Sequence, residues 1–143
     1  MYAKNCLEEF KFRHPFTAIV CGMTSSGKTE FTSRLLKNWK QLIKIDTSFL
    51  NVLWCYSESE SVKNISISNT RVNYFKGIPN SDDLKTYSPQ IIVLDDLMGD
   101  INKDIKDLFT KLSHHKNISI ILIVQNSFNQ NKFMRDISLN TLF

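Results

Sequence analysis

The most constraining stretch of this chain is Gly22-Met23-Thr24-Ser25-Ser26-Gly27-Lys28-Thr29. It fits the pattern G-x-x-x-x-G-K-[ST] at every fixed position. The glycines let the backbone curl so that its N–H groups converge on an anion with no Cβ in the way. A helix opening directly after the loop adds first-turn N–H groups that carry partial positive charge. Lys28 brings a compact cation to phosphate oxygens, and the Thr29 hydroxyl is a ligand for Mg²⁺. The stretch therefore demands a strand before it and a helix after it, and both patterns are present. Residues 16–21 are a short apolar run suited to a strand buried on both faces of a parallel sheet. From 28 to about 45, Phe31, Leu35, Leu36, Trp39, Leu42 and Ile43 recur at helical spacing, which predicts one amphipathic helix.

Further along, residues 51–56 and 72–75 read as strands. Between them lies a polar loop, residues 57–71. Gly77-Ile78-Pro79 marks a turn. Ser81-Asp82-Asp83 looks like the cap of a short helix that ends at Ser88-Pro89. Ile91-Ile92-Val93-Leu94 then runs straight into Asp95-Asp96. A carboxylate at the carboxyl end of a buried strand is placed beside a loop-bound Mg²⁺, while an apolar run followed by acids is by itself also a common strand-to-loop transition. A second amphipathic pattern, Ile101, Ile105, Leu108, Phe109 and Leu112, ends near Ser113-His114-His115. Adjacent histidines leave a helix on different sides and suit a single metal poorly. The last apolar run, residues 118–124, closes on Gln125-Asn126. An amide there can hold an attacking water or sense a terminal phosphate, and it can equally be an ordinary polar strand end. Arg135 is open between a surface cation and a group that reaches a phosphate in this or an adjacent subunit.

The order of elements argues an α/β, three-layer P-loop NTPase fold with a mostly parallel sheet. The expected ligands of such a fold are a nucleoside triphosphate and Mg²⁺. The 143 residues suffice for one domain. Residues 1–14 read as a lead-in segment and 15–143 as the ATPase domain. The formal charge of +4 and pI of about 9.0 are compatible with a nucleic-acid partner without requiring one. Arg34, Lys37, Lys40 and Lys44 fall off the apolar stripe and read as a solvated face. No apolar run is long enough to span a bilayer and no signal-peptide pattern opens the chain, so the expectation is an intracellular protein without a membrane partner. Cys6, Cys21 and Cys55 are odd in number and widely spaced. They suggest no zinc site and no disulfide framework, and Cys21 and Cys55 read as buried small hydrophobes.

Taken together, several stretches resemble the viral genome-packaging ATPases of the FtsK–HerA superfamily. They are Pro15-Phe16, the loop at 22–29, Tyr56-Ser57-Glu58, Gly77-Ile78-Pro79, Asp95-Asp96-Leu97-Met98, Leu108-Phe109-Thr110, Ser113-His114-His115, Gln125-Asn126-Ser127-Phe128, and Arg135 through Leu139-Asn140. The branch they are most similar to is that of poxvirus-like large DNA viruses and Maverick/Polinton elements. The resemblance spans residues 15–140. It implies a ring-forming homo-oligomer that hydrolyses ATP to drive double-stranded DNA into a capsid, with a capsid or procapsid protein as a further partner. It also implies a virus-associated place in the host cytoplasm or nucleus. Carried over by motif, Gly22, Thr24, Ser25, Ser26, Gly27, Lys28 and Thr29 bind the nucleotide. Thr29 and Asp95 support Mg²⁺, Asp96 takes the place of the catalytic base, Gln125 is the polar sensor, and Arg135 is the charge-stabilising arginine. The base in the wider superfamily is usually Glu, and the shorter Asp96 is a departure. Such relatives continue with further strand and helix material, so the domain is expected to be incomplete at its C-terminal end.

Two other readings remain at this stage. One is a P-loop nucleotide kinase, although the arginines Arg13, Arg34, Arg71 and Arg135 do not cluster as a lid over phosphates would need. The other is a nucleotide-binding relative without turnover.

Overall fold

The computed structural model describes residues 10–22, 27–57, 65–97, 108 and 117–125. Its elements are β1 (Phe12–Arg13), β2 (Thr17–Cys21), α1 (Lys28–Lys37), α2 (Trp39–Leu42), β3 (Ile43–Lys44), β4 (Leu50–Tyr56), β5 (Thr70–Lys76), α3 (Ser81–Tyr87), β6 (Ile91–Asp95) and β7 (Ser119–Val124). Five strands form one sheet in the order β2-β7-β6-β4-β5, and β1 pairs with β3 in a separate ribbon. Every pairing among the described residues is parallel. The fold is therefore α/β with a parallel five-stranded sheet. Among the described residues, no helix is long and apolar enough to cross a membrane.

The strand sequences explain why the sheet is covered on both sides. β4, β6 and β7 are near-continuous apolar runs, and alternate residues enter two separate cores. Leu53, Cys55, Ile92, Leu94, Ile120, Leu122 and Val124 pack on one face, with Leu84 of α3 and with Leu108. Leu50, Val52, Trp54, Ile91, Val93, Ile121 and Ile123 pack on the other, with Leu36 of α1, Trp39 of α2 and Ile67. Strands buried on both faces need no polar alternation, which is why they read as solid hydrophobic stretches. The connections obey one hand. The chain steps from β2 to β4 with α1 and Trp39 of α2 on one face, and from β4 to β5 with Ile67 on that same face. It steps back to β6 and β7 with α3 and Leu108 on the opposite face. Right-handed crossovers require this change of face when the direction of travel reverses.

The expected helix over 28–45 is broken. Asn38 ends α1 with φ −106° and ψ 26°. Its Nδ2 donates to the Arg34 carbonyl at 2.8 Å and its backbone N–H to the same oxygen at 3.2 Å. Asparagine competes for helical carbonyls in this way and makes a natural stop. After one further turn, Ile43 turns extended and joins β1. The apolar stripe is also rotated by one position. Thr32 and Ser33 face the sheet, while Phe31 is 57% exposed and Leu42 37%. The two hydroxyls donate to the Lys28 and Thr29 carbonyls at 2.9 and 2.8 Å, so they enter the interior already satisfied.

Three smaller expectations change as well. The lead-in is not wholly outside the fold, because Phe12 pairs in β1 and stacks on Phe16 with ring centroids 5.1 Å apart. The cap of α3 is Asn80 rather than Ser81: its side chain accepts from the Asp83 N–H and Asp83 Oδ2 accepts from the Asn80 N–H, both at 2.9 Å. Cys55 is buried as expected, and burial pushes its thiol up so that it stays protonated. Cys21 is exposed, because it is the last residue of β2, at an edge of the described sheet. The expected helix around Leu108 and the histidine pair lie, apart from Leu108 itself, outside the described residues.

Candidate functional site

Residues 17–21 leave the sheet as β2 and the chain enters the loop at Gly22. The loop returns at Gly27, which caps α1 with φ 86° and ψ 21°. That left-handed conformation is open to glycine and strained for a residue with a Cβ, which accounts for the second fixed glycine of the pattern. The cap makes no side-chain bond to the first turn of α1. Lys28 is the first helical residue, and its Nζ donates to the Gly22 carbonyl at 2.8 Å. The side chain thus reaches back to Gly22, the residue at which the chain leaves β2. Thr24, Ser25 and Ser26 lie outside the described residues.

Asp95 ends β6 on the same sheet face as α1. It is 3% exposed, and its Oδ2 lies 3.4 Å from Thr29 Oγ1 and 3.3 Å from Trp54 Nε1, accepting from both. Burial pushes the Asp95 carboxyl above the usual carboxylate range, and the charge of Asp96 adds to the rise. Hydrogen bonds from Trp54 and Thr29, and the charge of Lys28, pull the other way. Asp96 is exposed and has φ 54°. Aspartate tolerates this region better than most residues, and a non-glycine residue held there is often part of a working site. Two bonds hold it: its N–H donates to the Ile123 carbonyl at 3.2 Å, and Ser57 Oγ donates to its carbonyl at 3.1 Å.

The strand between the loop strand and the acid strand is β7. Its last carbonyls tie both together. Val124 accepts from the Gly22 N–H at 3.3 Å, while Ile123 accepts from Asp96. Gln125 follows at once and is exposed at the same end of the sheet. β2 leads to a helix on one face and β6 to residues on the other. A parallel sheet opens a crevice at the carboxyl ends of strands whose connections part in this manner. Gly22, Gly27, Lys28, Thr29, Asp95, Asp96 and Gln125 therefore gather at one end of the sheet, although 66 residues separate Thr29 from Asp95 in the chain. Arg135 lies outside the described residues.

The donor set suits a small hard cation. A hydroxyl and a buried carboxylate within 3.4 Å are oxygen ligands of the kind Mg²⁺ takes while keeping several waters or phosphate oxygens. Among the described residues, no group of three or more His, Cys, Asp and Glu could hold a metal ion. A Cβ built on Gly27 meets no atom within 4 Å among the described residues. A cavity of about 500 Å³ lined by His14, Lys44, Lys85, Gln90 and Asn117 lies at the opposite, amino-terminal end of the strands and shares none of these residues.

Sequence reasoning missed Trp54, and it met Ser57 only within the stretch Tyr56-Ser57-Glu58, with no role at the site. Both belong to β4 or its end, and their partners lie on β6 or just after it. Only the cross-strand register, with Trp54 opposite Val93, brings them together. Comparison with protein-family models, with curated proteins and with solved structures returned no match.

Proposed function

We propose that this chain is a Mg²⁺-dependent P-loop ATPase that translocates double-stranded DNA, working as a ring of identical subunits to package a viral or virus-like-element genome. The observation that carries the nucleotide half is the meeting of Lys28 and Thr29 with Asp95 and Asp96 at one end of the sheet, with Thr29 Oγ1 3.4 Å from Asp95. A strand inserted between loop and acids, with Gln125 at its tip, supports hydrolysis over simple binding. It leaves room for a polar group between phosphate and base. The DNA half is supported by the motif resemblance and by the basic balance of the chain.

The chain's own groups have separate tasks in this reading. The loop N–H groups and the start of α1 hold phosphate oxygens. Lys28 exchanges the Gly22 carbonyl for a phosphate. Thr29 and Asp95 hold Mg²⁺, which when bound neutralises phosphate charge. Asp96, exposed and fixed by Ser57 and Ile123, accepts the proton of the attacking water. Gln125 orients that water. The test is ATP turnover with and without double-stranded DNA across a salt series. DNA should raise turnover, and the effect should fade steeply with salt. ATP turnover that DNA leaves unchanged at every salt concentration would remove the translocase and leave a plain ATPase.

A further inference from the structure

Trp54 is an unusual residue to find beneath a phosphate site. It is 1% exposed, and its indole N–H is a donor with no acceptor capacity. Buried, that N–H needs a partner. A phenylalanine or leucine would fill the same core without raising the need. The partner is Asp95 Oδ2 at 3.3 Å, the same oxygen that accepts from Thr29 at 3.4 Å. The contact follows from register. Trp54 stands opposite Val93 on the α1 face of the sheet, so Asp95 is its diagonal neighbour, within reach of a long aromatic side chain.

We infer that Trp54 is a positioning residue for the divalent cation: its N–H holds the Asp95 carboxylate in the orientation in which Asp95 and Thr29 act together on Mg²⁺. This rests on the reading of residues 22–29 as the nucleotide site. Thr29 on α1 and Trp54 on β4 approach the same oxygen from different elements, and the second donor narrows the rotation about the Cβ–Cγ bond that one donor leaves. Partners of this kind around a metal ligand commonly change metal affinity by roughly 10- to 100-fold when lost.

The test uses the full chain with ADP and Mg²⁺ as probes, read by calorimetry. Trp54→Phe keeps an aromatic ring in the core and deletes the donor. The Mg²⁺ concentration that half-saturates binding to the ADP-loaded chain should rise roughly tenfold or more. Affinity for ADP without Mg²⁺ should not change. A folded variant with an unaltered Mg²⁺ midpoint overturns the inference. So does a parallel loss of both affinities with a lowered melting temperature, since a purely structural role would act that way. A second readout needs no substitution. In the unsubstituted chain, the Trp54 indole N–H resonance should shift as Mg²⁺ is added to the ADP complex, and a stationary resonance overturns the inference. If the unsubstituted chain binds no ADP, the site reading falls and takes this one with it. If it binds ADP with Mg²⁺ dependence and Trp54→Phe matches it, only the role of Trp54 falls.

Discussion

Gly27 and Gly77 form a matched pair that separates a backbone effect from a site effect. Their φ values are 86° and 93°, and a Cβ built on either meets no atom within 4 Å. Gly27 closes the loop onto α1, whereas Gly77 follows β5 and donates its N–H to the Tyr56 carbonyl at 2.8 Å. Replacement by alanine forces an L-residue into the left-handed region, at about 1–2 kcal/mol. The stiffer unfolded chain offsets about 0.4–1 kcal/mol of that. Each substitution should therefore destabilise by about 1 kcal/mol, a fall in melting temperature on the order of 2–4 °C for a chain of this size. Nucleotide binding should divide them. At Gly27 the methyl group enters the space proposed for phosphate. Losing one hydrogen bond to a charged group there, about 1.5–3 kcal/mol, weakens ADP binding roughly 10- to 100-fold. Gly77→Ala should bind as the parent does. Thermal melts and calorimetric titrations of the two variants give both quantities. Equal losses of binding, or none in either, would refute the placement of phosphate beside Gly27.

Two other substitutions probe separate parts of the molecule. Asp96→Asn should keep nucleotide affinity and melting temperature, because asparagine also accepts a positive φ, while single-turnover hydrolysis falls roughly 10²- to 10⁴-fold; hydrolysis at the parent rate would remove Asp96 as the base. His14 is expected to make stability depend on pH. Burial lowers its value from 6.5, outweighing the opposing bond to the Asn117 backbone, and its Nδ1 lies 2.6 Å from Ser119 Oγ. The unfolded chain then binds the extra proton first, so stability should rise with pH between the lowered value and 6.5 and level off above. Denaturant midpoints of the parent and of His14→Gln across that window check this, and an identical slope in both would contradict it.

The parts of the fold that were legible in the sequence are those set by local chemistry. The apolar runs of β4, β6 and β7 identify themselves because both faces are buried, and Gly77 after β5 and Ser88 after α3 mark turns, with positive φ values of 93° and 45°. The loop and the acid pair were legible for the same reason: each needs particular residue types in fixed order. The misreadings have two causes, side chains that bond the helix backbone and contacts made across strands. Thr32 and Ser33 are polar by composition yet buried, because the turn before them absorbs their hydroxyls. Asn38 ends a helix that the apolar spacing continues. Trp54 and Ser57 enter the site through strand pairing, which no short stretch encodes.

The central claim is that residues 22–29 and Asp95 form one site for a magnesium nucleotide. Calorimetric titration of the folded chain with ADP, with and without Mg²⁺, beside Lys28→Ala, tests it most directly. The expected result is saturable binding strengthened by Mg²⁺ in the parent, and its loss in Lys28→Ala at an unchanged melting temperature. Equal affinity in the parent and Lys28→Ala, or no saturable binding by the folded parent, would contradict the claim.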